Sequence, residues 1–403
     1  MSGKPLSGVR VLDLSRVLAG PLATQSLAEL GADVIKVERT GTGDESRSME
    51  PRLPGGESAY FFAVNRTKQS IAIDLKSESG RMLVLDLIPH VDIVVENFLP
   101  GTLSRMGLGF SELTEANPRL VLISNTGFGQ TGPEAGRKGY DTVFQALSGV
   151  MHVTGHPDAG PAKVGVPIAD MTSSLWVMIA ALVGLLDRHR TGHGGHWDVA
   201  MMDVQASLLS IGAARLFAHD EDPQRTGTEH PGRVPSAALR CADGRWVHIS
   251  ASDQHWSSLC QVLNLRPSEV DRWSTNAQRV AERGAVMERL QEIAGTWKHN
   301  EFVDALHRVG VPAGLVQSPR EALTSDQARH RGSVQSFVHA TEGEFCGIST
   351  PLRRVGDQAP DVAPPPLLGG DTEAVLSSLL GLSADQIGDL SRRGVVQTNG
   401  RTR

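Results

Sequence analysis

The chain has 403 residues, enough for two or three domains at about 150 residues each. Lys and Arg total 39 against 45 Asp and Glu, a net charge of −6 without basic runs, which argues against a nucleic-acid partner. Hydrophobic residues make up 40 %, too many for a disordered chain, and the longest apolar run, Leu175–Leu186, falls short of the roughly 20 residues that span a bilayer. The three cysteines, Cys241, Cys260 and Cys346, are far apart and form no CxxC pair. That disfavours a disulfide framework or zinc ribbon and fits a reducing compartment. The N-terminus enters an alternating strand pattern with no signal-peptide core, so the expectation is a cytoplasmic α/β enzyme with no membrane partner.

The first forty residues read as a βαβ unit. Val9–Leu14 is the first strand, Arg16–Gly20 a turn, Pro21–Leu30 a helix stopped at Gly31, and Val34–Glu38 the second strand. Further strands are expected at Ile71–Leu75, Ile93–Val95 and Leu120–Ser124, with a helix at Glu78–Ile88. Strands alternating with helices predict a doubly wound, mostly parallel, Rossmann-like sheet. A long helix is expected over Thr172–His189, fully buried along Leu175–Leu186, and a further helical stretch over Ala200–Ala218. The polar, Pro- and Gly-rich stretch His219–Pro235 reads as a linker. Beyond it, Ala237–Cys241 and Arg245–Ser250 flank Asp243-Gly244, a hairpin signal that opens a smaller α+β domain. The expected organisation is a large domain over 1–218, the small domain over 236–328, a return linker over 329–366, and 367–403 rejoining the large domain. Ser383 and Gln386 have the spacing of a capping box in this tail.

Three patterns could carry chemistry. Gly127–Gly132 matches G-x-G-x-x-G after a strand, but Pro133 and Gly136 interrupt any following helix; a dinucleotide site and a plain glycine turn both remain open. No GxxxxGK[ST] occurs, which disfavours ATP-driven chemistry of the P-loop type. His189, His193 and His196 in HRTGHGGH lack a nearby acid or cysteine, so a solvated turn competes with a metal site. Asp170 directly precedes the apolar helix. On spacing alone it is an N-cap; alternatively it is a carboxylate at a positive helix end, open to attack on a substrate carbonyl.

Several segments together resemble the class III CoA-transferase family, which includes formyl-CoA transferase and α-methylacyl-CoA racemase. They are LDLSRVLAGPLATQSLAELGADVIKVER, VVENFLPGTLSRMGLG, GFGQTGPEAGRKGYD, VGVPIADMTSSLW, TGHGGHWDVAMMD and APPPLLGGDT. The likeness covers nearly the whole chain and is greatest to members acting on succinate-, glutarate- or itaconate-type diacids.

The resemblance implies that Asp170 is the nucleophile. It implies that Val17, Leu18, Ala19, Arg39, Asn97, Phe98, Arg105, Lys138 and Met201 hold CoA, which enters as a thioester substrate and not as a resident cofactor. Tyr140 and Asp141 would lie beside the thioester. The racemase pattern has a His-Asp pair where this chain has Tyr140-Asp141, and a Tyr with a reference pKa near 10 is a poor neutral-pH base. Transfer is therefore favoured over racemisation, with intramolecular CoA migration on a C5 diacid as a further alternative. The mechanism implied runs through an aspartyl anhydride and an aspartyl-CoA thioester, with backbone N–H groups at the glycine turn or helix start as oxyanion donors. At its reference pKa of about 3.9 the aspartate is already an anion at neutral pH. Arg47 and Arg52 are the candidate cations for the distal carboxylate of a diacid. Family members form an interlocked homodimer, which is the expected partnership here; no metal is expected.

Overall fold

A computed structural model describes residues 4–356 and 361–398. Positions 357–360 of the expected return linker and the chain ends lie outside the described residues. The chain divides into two compact units. The first is Met1–Val150, Val164–Ala214 and Asp326–Arg403; the second is Met151–Lys163 and Arg215–Ser325.

In chain order the elements begin with β1 (Arg10–Asp13), α1 (Ala19–Glu29), β2 (Asp33–Glu38), α2 (Ala59–Val64), β3 (Gln69–Ile73) and α3 (Glu78–Leu87). Then follow β4 (Ile93–Glu96), α4 (Thr102–Arg105), α5 (Phe110–Ala116), β5 (Val121–Thr126), α6 (Asp141–Leu147) and α7 (Val150–Val153). Next come α8 (Ile168–Thr191), β6 (Gly195–Ala200), α9 (Met201–Leu208) and α10 (Ser210–His219). The remaining strands are β7 (Ser236–Arg240), β8 (Trp246–Ser250), β9 (Ala313–Leu315), β10 (Val334–His339), β11 (Gly343–Ile348) and β12 (Val396–Gln397).

Strands β3-β2-β1-β4-β5-β6 form one parallel sheet, closed at the β3 edge by antiparallel β12. The order reverses between β1 and β4, where two consecutive crossovers leave in opposite directions and open a crevice at the strand ends. Side-chain alternation explains the two layers. Leu12, Ile35, Ile71, Val94 and Leu122 face a core with α3 and the C-terminal helices Thr372–Leu380 and Ala384–Arg392. Val11, Val34, Ile93 and Val121 face the opposite core with α1 and α8. With both faces covered, the central strands carry nearly unbroken apolar runs. Gly31 ends the first crossover at φ +110°, a conformation a side chain would strain.

The second unit packs the antiparallel sheet β7-β8-β9 on its own helices around Trp256, Leu259, Leu290 and Phe302. The hairpin falls where Asp243-Gly244 predicts it, and the Ser383–Gln386 capping box is formed.

Several expectations change. Pro235 and its neighbours are not a bare linker, since Val234 is fully buried in the second unit's core. The stretch 329–366 contains the β10–β11 hairpin, whose Phe337 and Phe345 pack on Phe61 and Phe62 of α2. The helical stretch after β6 is broken into α9 and α10. The apolar run in α8 is not fully buried. Val177, Ala181 and Gly184 meet the sheet and α1, while Leu175, Ile179, Val183 and Leu186 are exposed, because a 3.6-residue period cannot turn every residue of a 24-residue helix toward one sheet. By length and composition α8 would also suit a membrane, but its small-residue face is spent on packing.

Candidate active site

A cavity of about 540 Å³ opens beyond the C-terminal ends of β1, β4 and β5, within the first unit. Strand β1 leads into its wall through Val17, Leu18 and Ala19, β4 through Asn97 and Phe98, and β5 through Thr126 and Gly127. The first residues of three helices complete it, namely Asp141 of α6, Asp170 of α8 and Met201 of α9. Tyr140, Lys138 and Arg137 come from the turn before α6.

The wall is held by buried polar groups. Val17 adopts a left-handed φ of 69°, costly for a β-branched residue, and both oxygens of Asp44 accept its N–H, at 3.1 and 3.2 Å. Asp44 is itself paired at 2.9 Å with the buried ammonium of Lys36. Asn97 clasps the next turn, accepting the Arg16 N–H at 2.9 Å and donating to the Arg16 carbonyl at 2.8 Å. The Arg16 guanidinium lies 4.9 Å over the Phe98 ring and is paired with Glu45 at 2.7 Å.

A second cavity of about 260 Å³ adjoins the first through shared Arg16, Phe98 and Thr102. Arg39, at the end of β2, lines it together with Leu75, Lys76 and Met106. Its lining mixes apolar side chains and cations with the carboxylates of Glu38, Asp44 and Asp74.

Asp170 is the third residue of α8, not its N-cap; Pro167 stands at that position. The cap comes from another helix. Asp141 Oδ1 accepts the N–H groups of Ala169 and Asp170, and Asp141 Oδ2 accepts Gln145 Nε2 at 2.6 Å. Those helix-start donors are therefore committed and are not open oxyanion donors. Burial, and then the charge of Asp141, push the Asp170 carboxyl up to about 7. The helix dipole opposes this by about 0.3–1 kcal/mol, against roughly 4 kcal/mol for a rise of that size, so burial and Asp141 win. At neutral pH Asp170 is thus divided between acid and anion, where the reference pKa predicts the anion alone.

Ten sequence-predicted residues meet in the large cavity, namely Val17, Leu18, Ala19, Asn97, Phe98, Lys138, Tyr140, Asp141, Asp170 and Met201. Arg39 lines the adjoining one. Arg105 lines neither; it is exposed and donates to Thr102 Oγ1. Neither Arg47 nor Arg52 lines the large cavity. Arg47 is 8 % exposed, makes a two-pronged ion pair with Glu38 at 2.7 and 2.8 Å, and lies on the Phe61 ring. Arg52 donates to the carbonyls of Arg47 and Gly56. The Arg47 guanidinium is thus spent on the protein itself, while exposed Arg52 uses only Nη1 in this way.

Sequence reasoning missed Arg16, Lys76, Arg137 and Tyr60. The Tyr60 hydroxyl is pushed up to about 12, first by burial and then by the charges of Asp170, Asp141 and Asp44, which places it in their field. Nothing in the local pattern around Tyr60 signals this, because α2 reaches the site only through tertiary packing. His196 belongs to β6 rather than to a loop, and its Nε2 lies 2.8 Å from Ser124 Oγ.

A doubly covered parallel sheet, with a half-buried carboxylate and a fringe of Arg and Lys at its switch point, defines an α/β enzyme built to receive a phosphate-bearing carrier. The chain belongs to CoA-transferase family III, matching that family over residues 6–372, and is a CoA-transferase. It is 38 % identical over 403 residues to the succinyl-CoA:glutarate CoA-transferase of Mus musculus, covering 98 % of this chain and 91 % of that protein. A succinate–glutarate CoA-transferase of Agrobacterium fabrum is 37 % identical, with 93 % and 96 % covered. Among solved structures, a CaiB/BaiF family protein from Brucella suis superposes with a TM-score of 0.83 at 36 % identity, over 94 % of this chain and all of that one.

Proposed function

We propose that the protein moves CoA from succinyl-CoA to a short dicarboxylic acid of the glutarate type, through covalent intermediates on Asp170. The observation that carries this reading is the convergence of Asp170, Lys138, Tyr140, Asn97, Phe98 and the Val17–Ala19 turn on one cavity. The named relatives act on that acid pair.

In the first step an Asp170 oxygen bonds to the acyl carbon and the C–S bond breaks, leaving an aspartyl anhydride and the CoA thiolate. The thiolate attacks the aspartyl carbonyl, releasing the donor acid and leaving an aspartyl-CoA thioester. The acceptor carboxylate attacks that carbonyl, expels the thiolate and forms a second anhydride. The thiolate takes the new acyl group and Asp170 is restored. One thioester replaces another, so no ATP is required. Burial that raises the Asp170 pKa also strips its anion of water and sharpens it as a nucleophile. Arg39, Lys138, Arg16 and Lys76 supply cations for the CoA phosphates, with Arg105 a more distant contributor.

The working form in this reading is an interlocked cytoplasmic homodimer. Each unit is assembled from separate chain segments. The exposed stripe Leu175, Ile179, Val183 and Leu186 of α8 presents apolar surface that a second copy would cover.

The test is incubation with succinyl-CoA and a panel of mono- and dicarboxylic acids, with new thioesters identified by mass and hydroxylamine present to trap the acylated carboxylate. Glutaryl-CoA formation with label at Asp170 is the expected result. Turnover without label at Asp170, or epimerisation of a branched acyl-CoA without transfer, overturns it.

A further inference from the structure

Behind the wall of the large cavity lies a small one, of about 40 Å³, that the transfer steps do not use. Leu99, Pro100 and Thr102 face both, so this turn is the partition between them. At the back of the small cavity Glu96, the last residue of β4, is 4 % exposed. Its Oε2 accepts the N–H of Phe98 at 2.7 Å, and the neighbouring Ser124 hydroxyl favours the charged form of the same carboxylate. Ser124 Oγ in turn lies 2.8 Å from His196 Nε2, and the His196 ring packs on Phe110. Parallel register creates the chain: Glu96 stands opposite Ser124 on β5, and His196 is two residues before Asp198, the β6 partner of Ser124.

We infer that Glu96 is a positioning residue for CoA binding, which anchors the Asn97–Phe98 wall through the Phe98 N–H and whose proton decides how firmly that wall is held. This rests on the reading that the larger cavity receives CoA. When Glu96 is ionised, the polar chain has one consistent direction. His196 Nε2–H donates to Ser124, Ser124 donates to Glu96, and the Phe98 N–H donates to a charged oxygen. Protonation reverses the Ser124 bond and leaves Phe98 with a neutral acceptor, about half as strong. The consequence reaches the ligand because Phe98 carries Arg16 on its ring and Asn97 holds the Arg16 backbone at both ends.

The groups facing Glu96 are Ser124 from β5, His196 and Asp198 from β6, Thr102 and Ser104 from α4, and Gln130 from the glycine turn. Burial pushes the Glu96 carboxyl up to about 7 against the bonds from Ser124 and Phe98, with a smaller push from Asp198. Burial also holds His196 below its ordinary value, against an opposing pull from Asp198. The carboxyl therefore titrates near neutral pH.

The experiment is calorimetric titration of the full-length protein with free CoA at pH 6 and pH 8, comparing wild type, Glu96→Gln and Ser124→Ala. CoA's own titration is common to all three. At pH 6 the glutamine variant is expected to bind within about twofold of wild type, and at pH 8 about three- to tenfold more weakly, since its amide accepts the Phe98 N–H without charge. Removing the Ser124 hydroxyl, which stabilises the anion, should move the midpoint of the wild-type affinity change to higher pH. A Glu96→Gln to wild-type ratio that is equal at both pH values overturns the inference, as does an unmoved midpoint in Ser124→Ala. Failure of wild type to bind CoA at either pH would instead refute the proposed function.

Discussion

Asp141 Oδ1 accepts the backbone N–H groups of Ala169 at 2.8 Å and of Asp170 at 3.3 Å, so one carboxylate caps the helix that presents the other. The pair is thereby held close, and each charge makes the other more costly. Asp141 does two jobs that a single substitution can separate. An Asn keeps the acceptor and loses the charge, whereas an Ala loses both.

Asp141→Asn should lower the Asp170 pKa and move the acid limb of the kcat/KM profile to lower pH, with little change in thermal stability. Asp141→Ala should show the same shift and also lose about 1–2 kcal/mol of stability from the missing cap. Rate profiles from pH 5 to 9 and chemical denaturation check both.

Asp170 links activity and stability with opposite signs. Between pH 4 and 7 the unfolded chain has already released this proton while the folded site, with its pKa raised to about 7, retains it. Stability from this group therefore falls as pH rises through that window. Asp170→Asn should abolish transfer and trapping, yet unfold later than wild type at pH 8 by on the order of 2–4 kcal/mol, with the difference vanishing below pH 4. Paired denaturation curves at pH 8 and pH 4 measure it.

Charge removal around the two cavities should be graded by position. Arg39→Ala and Lys138→Ala, which line them, are expected to raise KM for the acyl-CoA about tenfold, a cost typical of one lost charge-assisted bond. Arg105→Ala, outside both, should raise it by less. Steady-state kinetics at fixed ionic strength distinguish them, because exposed charges are screened by salt.

Arg47→Ala breaks a buried pair and leaves Glu38 uncompensated among Ser70 and the Asp44 N–H, at a cost of about 3–5 kcal/mol. Its effect on KM should be equal for diacids and monoacids. A selective loss of diacid affinity would restore Arg47 as the distal-carboxylate cation.

The exposed stripe of α8 makes a separate prediction. Ile179→Glu together with Val183→Asp places two charges on that face without touching the sheet-facing side at Val177 and Ala181. If the proposed homodimer uses this face, wild type should sediment as a dimer and the double variant as a monomer.

Much of the sheet was legible in the chain itself. β1, β2, β4 and β5 are short apolar runs separated by helical periods, and Gly31 and Asp243-Gly244 mark a stop and a turn by chemistry that few other residues can supply. The order of the family motifs pointed to Asp170, Lys138, Tyr140 and the Val17–Ala19 turn, and these line one cavity. Both faces of the sheet follow from alternation, since a strand's side chains have only two directions.

Tertiary structure alone decided where each charge sits. Arg47 and Arg39 look alike in sequence, each in a polar segment after β2, yet Arg47 is buried on Glu38 while Arg39, paired with Glu45, stays half exposed and lines a cavity. It also set the Asp170 pKa, brought Tyr60 into its field, and joined Ser124 of β5 to His196 of β6. Strand-forming tendency and hydrophobic period are local and can be read along the chain. Electrostatic environment depends on distance and burial among residues far apart in sequence, and these exist only once the chain has folded.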